Sequence, residues 1–357
     1  MKRGMRPATP GLPQGGPGVR VLALALLAGC GGPPPTRITG AFVSGLGERQ
    51  SAAWWDREVA TMKAAGLDTV ILQHATYGDP GQALWTPNDL GLPAPSGNLV
   101  GDLLGAAERA GGLAVIVGLG YRTNWNFTGG HTQAQYRDLA AFNVRVAEDL
   151  WRRFGRSSAF AGWYLPQEPD SQRSWEPVSA APGTPLGRLL RGYYLPVMAR
   201  LKELAPGRPI VISPFFGWNA MPPIVFRKWY TLLLNSCPVD ILAMQDGIGV
   251  FHASLGPPGP GEAPCGDALV YLAAMRDACR VAGKSFWLDL EAFREKEDGD
   301  LIAATPEALR LGTRRYPGLG DQLRREAPVI RANGPWGNKI LAYEWSYLRS
   351  TKNQGSR

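Results

Sequence analysis

Eight short apolar runs, rich in β-branched and aromatic residues, recur along the chain. They are Ile38–Val43, Thr69–Gln73, Leu113–Gly118, Ala161–Leu165, Pro209–Ser213, Asp240–Gln245, Ser285–Leu290 and Lys339–Tyr343. Each is nearly continuous instead of alternating apolar with polar, which is how strands covered on both faces read. Between them the apolar positions switch to i, i+3, i+4 spacing and predict helices over Trp54–Ala65, Gln133–Phe154, Pro185–Leu204 and Ala268–Ala282. Short glycine- or proline-marked stops precede the next strand: Ala65-Gly66, Ala110-Gly111-Gly112, Ala205-Pro206-Gly207 and Ala282-Gly283. Eight strand–helix units in one chain predict the α/β class and a (β/α)8 TIM barrel over residues 38–347. A doubly wound sheet is the competing topology, but it wants a glycine-rich phosphate turn after its first strand. Ser44-Gly45-Leu46-Gly47 is a poor match. About a dozen residues follow the last strand, so the eighth helix is expected to be short or missing, with 348–357 a C-terminal tail.

Segments that follow strands are long: Ala75–Val100, Leu119–Thr132, Pro166–Thr184 and Asp246–Gly266. Those that precede strands are short. In such a barrel the long ones gather on the C-terminal face, where catalytic groups are carried.

The chain of 357 residues is 45% hydrophobic, enough to bury a large core. No apolar run reaches the ~18 residues of a membrane span. The net charge of +8 is diffuse, and four of the positive charges, Lys2, Arg3, Arg6 and Arg20, lie before an expected cleavage point, so nucleic acid is not indicated as a partner. Lys2 to Arg20 form a basic region and Val21 to Ala28 an apolar one, the layout of a secretory signal. The ending Leu27-Ala28-Gly29-Cys30 resembles the lipobox of bacterial lipoproteins. That resemblance implies a signal peptide over 1–29, acylation of Cys30 and a tether over 30–37. The protein would then be held in the bacterial envelope by its lipid, on the outer membrane because Gly31, not Asp, follows the cysteine.

Cys237, Cys265 and Cys279 remain, with His74, His131 and His252 the only histidines. No pair has metal-ligand spacing, so neither a metal nor any other cofactor is expected. Cys237 precedes strand six and Cys279 lies near the end of the helix that feeds strand seven, so both belong at the N-terminal face. Cys265 precedes that helix, ~20 Å away along its length. Any intrachain disulfide is therefore expected to be Cys237–Cys279. The alternative is that the cysteines stay reduced, two of them as small core residues.

Strand four runs into Tyr164-Leu165-Pro166-Gln167-Glu168, and strand seven reads Trp287-Leu288-Asp289-Leu290-Glu291. A carboxyl pair at two strand ends is what glycoside hydrolysis requires, one as proton donor and one as nucleophile or base. This arrangement resembles the clan of retaining (β/α)8 glycosidases, and the resemblance implies Glu168 as acid/base and Glu291 as nucleophile. More closely, Ile38-Thr39-Gly40-Ala41-Phe42, the stretch Met62 to Gln73, Tyr164 to Glu168 and Gln245-Asp246-Gly247-Ile248-Gly249 resemble bacterial domain-of-unknown-function family 4434, a set of glycosidase-like barrels. Two departures from the clan stand out. Gln167 occupies the place of an asparagine that bonds the sugar 2-hydroxyl, and Gln245-Asp246 stands where Tyr or His is common. Asp246 is thus a rival catalytic carboxylate, a base for an inverting mechanism. Asp289 shares a strand face with Glu291 and is either a substrate contact or a structural hydrogen-bonder.

Flat rings stack on sugar faces. Tyr77, Trp85, Tyr121, Trp125, Trp175, Trp218 and Trp345 all fall at strand ends or in the loops beyond, and Trp345 matches a sugar-platform position of the clan. Gln73, His74, Asn124, Asn126 and Asn219 are candidate hydroxyl binders; of these and the rings, Gln73, Tyr121, Asn124, Trp125, Trp218 and Trp345 join Gln167, Gln245 and Asp289 as the expected substrate-binding set. The sequence is therefore read as a lipid-anchored, monomeric glycoside hydrolase acting on a polysaccharide or oligosaccharide. The competing class is a non-catalytic glycan-binding lipoprotein. A phosphate-substrate barrel lacks a glycine-rich cradle after strands seven and eight.

Overall fold

A computed structural model describes residues 37–44, 50–79, 81–122, 131–169, 178–214, 221–247, 268–295, 301–303, 335–337 and 339–346, with the backbone alone for 293–295 and 301–303. Eight parallel strands close into a barrel. They are β1 (Gly40–Val43), β2 (Thr69–Leu72), β5 (Ala114–Gly118), β7 (Phe160–Leu165), β8 (Ile210–Ile212), β9 (Ile241–Gln245), β10 (Ser285–Glu291) and β13 (Ile340–Tyr343), hydrogen-bonded in that order and back to β1. All eight expected strands are there, and the TIM barrel stands.

The helices fall between them: α1 (Ala52–Ala64), α2 (Leu99–Ala110), α3 (Gln133–Phe154), α4 (Pro185–Leu189) continuing through a π-helical turn (Leu190–Tyr194) into α5 (Leu195–Leu204), α6 (Pro223–Ser236) and α7 (Ala268–Ala282). Their starts are written in the sequence. Ser51 accepts from Trp54 N–H, Thr132 forms a capping box with Gln135, and Thr184 accepts from Gly187 N–H just ahead of Pro185. Gly111 and Gly112, at φ +62° and +69°, turn the chain out of α2 in a region that side chains avoid. Nearly all of the chain after β13, where the eighth helix is expected to be short or missing, lies outside the described residues, as do the signal segment and all of the tether but Arg37.

Two apolar layers result. Phe42, Ile71, Ile116, Tyr164, Val211, Ile241, Ala243, Trp287 and Leu341 fill the barrel interior. A larger layer, including Trp163, Val117, Leu72 and Leu288, lies between strands and helices. Since both strand faces are covered, every residue of β1, β2, β8 and β10 is buried, which is why these runs read as continuously apolar. Each large side chain so buried contributes roughly 1.5–3 kcal/mol.

The interior set also fixes which residues face the barrel mouth. Stepping two at a time from Ile71, Val211, Ala243, Trp287 and Leu341 reaches Gln73, Ser213, Gln245, Asp289 then Glu291, and Tyr343. A small sheet in the order β4–β3–β6 (Gln82–Ala83, Thr76–Tyr77, Gly120–Tyr121) stands beyond β2 and β5 on this same side. Strands β11 (Phe293–Glu295) and β12 (Leu301–Ala303) form an antiparallel pair after β10.

The expected disulfide is corrected. Cys237 and Cys279 are both buried and both free, as the core-residue alternative has it. Cys237 Sγ–H donates to Leu233 C=O at 3.3 Å instead. Burial pushes its thiol up to about 11 and raises that of Cys279 still further, so neither is poised for exchange.

Candidate active site

Glu168 follows β7 by three residues and is half-buried. Its Oε1 accepts from Gln245 Nε2, at the end of β9, at 2.8 Å. The same nitrogen stands 3.5 Å from Ser213 Oγ, after β8, and Ser213 in turn donates to Asp289 Oδ2 on β10 at 3.3 Å. Four neighbouring strands thus deliver one connected polar chain to the mouth. Glu291, 4% exposed, tops β10 two residues above Asp289. Across the opening Gln73 Nε2 donates to Tyr343 Oη at 2.9 Å, and Tyr343 pairs in register with Glu291.

Asp246 is brought to the same region in a different posture. It lies one residue past Gln245, out of the interior register, and is fully buried. Its Oδ1 accepts from the backbone N–H of Glu291 at 3.3 Å, and its own N–H donates to Asp289 C=O at 3.1 Å. Those contacts brace the strand that carries Glu291.

Packing three acidic groups this closely has an electrostatic consequence. The Asp289 carboxyl is held well above the usual carboxylate range, first by burial, then by the charges of Asp246 and Glu291, with the Ser213 hydrogen bond opposing and Glu168 adding to the rise. Tyr121 and Tyr164 are raised in the same way, by burial and then by Glu168. Glu344, following β13, is raised by burial, partly offset by hydrogen bonds from Ser346 and from Ser44 N–H.

Two expected sugar contacts are instead internal struts. Gln167 is 1% exposed. Its Nε2 donates to Gly120 C=O at 2.6 Å, its Oε1 accepts from Tyr193 Oη, and its own backbone oxygen accepts from Tyr194 Oη at 3.1 Å. Asn143 of α3 closes the brace, accepting from Gly120 N–H at 2.6 Å and donating to Tyr193 Oη at 3.2 Å. Both tyrosines lie in the π-helical turn. A side chain so held secures the backbone beside Glu168, and its burial withholds its amide from a sugar.

Trp345 is the second. It packs in the core at 5% exposure, and its Nε1 donates to Glu58 Oε2 of α1 at 2.8 Å, so it offers no platform. Trp85, named among the loop rings, is likewise fully buried, donating to Asp149 Oδ2 at 2.8 Å. Asp289 is wholly buried too, which makes it a structural partner and not a substrate contact.

The rings that remain near the mouth are tyrosines. Tyr77 and Tyr121, both half-buried, stack at 5.7 Å and 17°, with His74 against Tyr77 at 5.0 Å. Burial lowers His74 to about 4, so it is a neutral imidazole. Of the expected substrate-binding residues, Tyr121 takes part in this stack and Gln73 pairs with Tyr343. Cys30, Asn124, Trp125, Asn126, Trp175, Trp218, Asn219, His252 and Cys265 lie outside the described residues. Among the described residues no group of His, Cys, Asp and Glu is arranged to hold a metal ion.

Sequence reasoning missed Ser213, Tyr343, Glu344 and the Asn143–Tyr193–Tyr194 brace. The first two end predicted strands at interior-facing positions, a signal that was present. The brace comes from helices and leaves no local trace.

No curated protein matches the sequence. A family model described as a domain of unknown function, DUF4434, matches residues 38–310. Among solved structures, one from Bacteroides thetaiotaomicron VPI-5482, described as a "putative alpha-L-fucosidase", is similar at TM-score 0.63 and 20% identity, covering 92% of this chain and 91% of that one. A hyperthermostable endo-1,4-beta-D-mannanase from Thermotoga petrophila RKU-1 is similar at TM-score 0.50 and 12% identity, covering 86% and 88%. Likenesses at such identities establish a shared fold, the (β/α)8 barrel.

Proposed function

The chain belongs to the domain-of-unknown-function family DUF4434, and from that premise we propose that it is a glycoside hydrolase using Glu168 as acid/base and Glu291 as nucleophile. The observation that carries this reading is the delivery of two glutamates to one barrel mouth from opposite ends of the connected chain Glu168–Gln245–Ser213–Asp289, with Glu291 directly above. In the first step Glu168 gives its proton to the glycosidic oxygen as that bond breaks, and Glu291 bonds to the anomeric carbon. In the second, Glu168 takes a proton from water, whose oxygen displaces Glu291 and releases the sugar. Half-burial leaves Glu168 open to both the leaving group and water, while Glu291 tops β10 as the nucleophile.

Asp246 as an inverting base is the competing mechanism. Its complete burial and its bond to the Glu291 N–H favour a bracing role. The half-buried Tyr77–Tyr121 stack and the Gln73–Tyr343 pair support substrate contact by a ring face and by hydroxyl-seeking groups. We place the protein outside the cytoplasm, anchored through Cys30, with a glycan of the envelope or surroundings as substrate.

Incubating the protein lacking residues 1–29 with a panel of plant and envelope polysaccharides, with products read by mass, tests the activity. Glu168→Gln and Glu291→Gln should each lower turnover by about 10²–10⁴-fold while leaving the fold intact. Binding without cleavage across the panel would support the glycan-binding alternative. An active Glu291→Gln protein beside an inactive Asp246→Asn protein would assign the inverting mechanism.

A further inference from the structure

Resting on the assignment of Glu168 as the acid/base group, we infer that Asp289 is a positioning residue: through the Ser213 hydroxyl it fixes which end of the Gln245 amide faces Glu168. Ser213 has one hydroxyl proton, and it goes to Asp289 Oδ2 at 3.3 Å. Its oxygen is left as an acceptor toward Gln245, whose Nε2 stands 3.5 Å away, a long contact. An amide can present nitrogen or oxygen to a neighbour, and the two ends have nearly the same shape. With Ser213 committed as acceptor, only the N–H end fits. The same nitrogen lies 2.8 Å from Glu168 Oε1. Reversed, the amide would set an oxygen against the carboxylate, and Glu168 would lose a donor that favours its ionised form.

Asp289 is placed for this task. It is fully buried, and its Oδ1 has no hydrogen-bond partner among the described residues, so its carboxyl reaches the mouth through the contact of Oδ2 with Ser213. The groups facing it are Asp246 after β9, Glu291 above it and Glu168 after β7. Burial first, then these charges, hold its carboxyl well above the usual carboxylate range, and its Oδ2 is the acceptor for the Ser213 hydroxyl. Glu168 itself faces Tyr121, Tyr164 and Asp289.

The test needs no substrate. Carbon-13 NMR of protein labelled at glutamate carboxyls, with Glu168→Gln identifying the resonance, reads the Glu168 titration directly. Ser213→Ala and Asp289→Leu both release the amide, so the Glu168 midpoint should rise by about half to one pKa unit, the scale of one hydrogen bond. Asp289→Asn keeps an acceptor for Ser213 and should restore the wild-type midpoint. On a cleaved glycan the alkaline limb of kcat/KM should move up by the same interval in the first two proteins, with KM unchanged. An unmoved midpoint in folded Ser213→Ala protein overturns the inference, and so does a failure of Asp289→Asn to restore what Asp289→Leu shifts. A shifted midpoint in a protein that cleaves no glycan would instead sink the hydrolase assignment and leave the role of Asp289 standing.

Discussion

Replacing Gln167 separates a strut from a sugar contact, because the two roles move different observables. Gln167→Leu keeps the volume but removes the donor to Gly120 C=O and the acceptor for Tyr193 Oη, both in a buried setting. Depriving a buried polar group of its partner costs about 1–3 kcal/mol, so the two losses together amount to about 2–6 kcal/mol. Gln167→Asn is one methylene shorter and cannot span from Gly120 to Tyr193, so it should fall between Leu and wild type. Urea denaturation at neutral pH measures the stability change, provided the unfolding stays two-state. Kinetics on a cleaved glycan measures the rest. Glu168 is the next residue, and loosening its backbone by even ~1 Å can cost up to 10²-fold in turnover. That loss should fall on kcat with KM unchanged, since no ground-state contact is removed. A protein of wild-type stability with a raised KM would refute the reasoning and return Gln167 to the role of hydroxyl binder.

Trp345→Phe should lower stability by about 1–3 kcal/mol, because Glu58 loses a buried donor, and should leave substrate KM unchanged in steady-state assays. His74, lowered to about 4, binds its proton far less readily folded than unfolded, where about 6.5 applies; its contribution is full above pH 6.5 and is lost as the pH falls toward 4. The stability advantage of wild type over His74→Phe should therefore shrink by about 3 kcal/mol between pH 7 and pH 4 in chemical denaturation, and a flat difference would contradict a neutral buried imidazole. Alkylation mapping should find Cys237 and Cys279 unmodified until the protein is unfolded and joined in no disulfide, whereas a Cys237–Cys279 linked peptide would overturn the free-thiol account. Cys30→Ala should release the protein from the membrane fraction of a bacterial host; continued sedimentation with membranes would remove acylation as the anchor.

The barrel was legible because its strands are covered on both faces, which writes each of them as an uninterrupted apolar run bounded by glycine. Glu168 and Glu291 were legible because they sit at the ends of two such runs. The same rule misassigned their neighbours. Gln167 is adjacent to an accessible glutamate, but a turn of π-helix 26 residues further on places Tyr193 over it, and nothing local announces that cover. Trp345 follows β13 by two residues, in the place of a loop ring, yet α1 lies against it and supplies Glu58. Ser213 and Tyr343 were in plain view at interior-facing ends of their strands, where a two-residue step from the barrel core would have found them.

The central claim is that Glu291 bonds covalently to the sugar after Glu168 protonates the leaving group. Proton NMR of the first product released from a cleaved glycoside, taken before mutarotation, reports this by its anomeric configuration. The two-glutamate mechanism predicts a product with the configuration of the substrate. A product of the opposite configuration would contradict it and pass the role of base to Asp246.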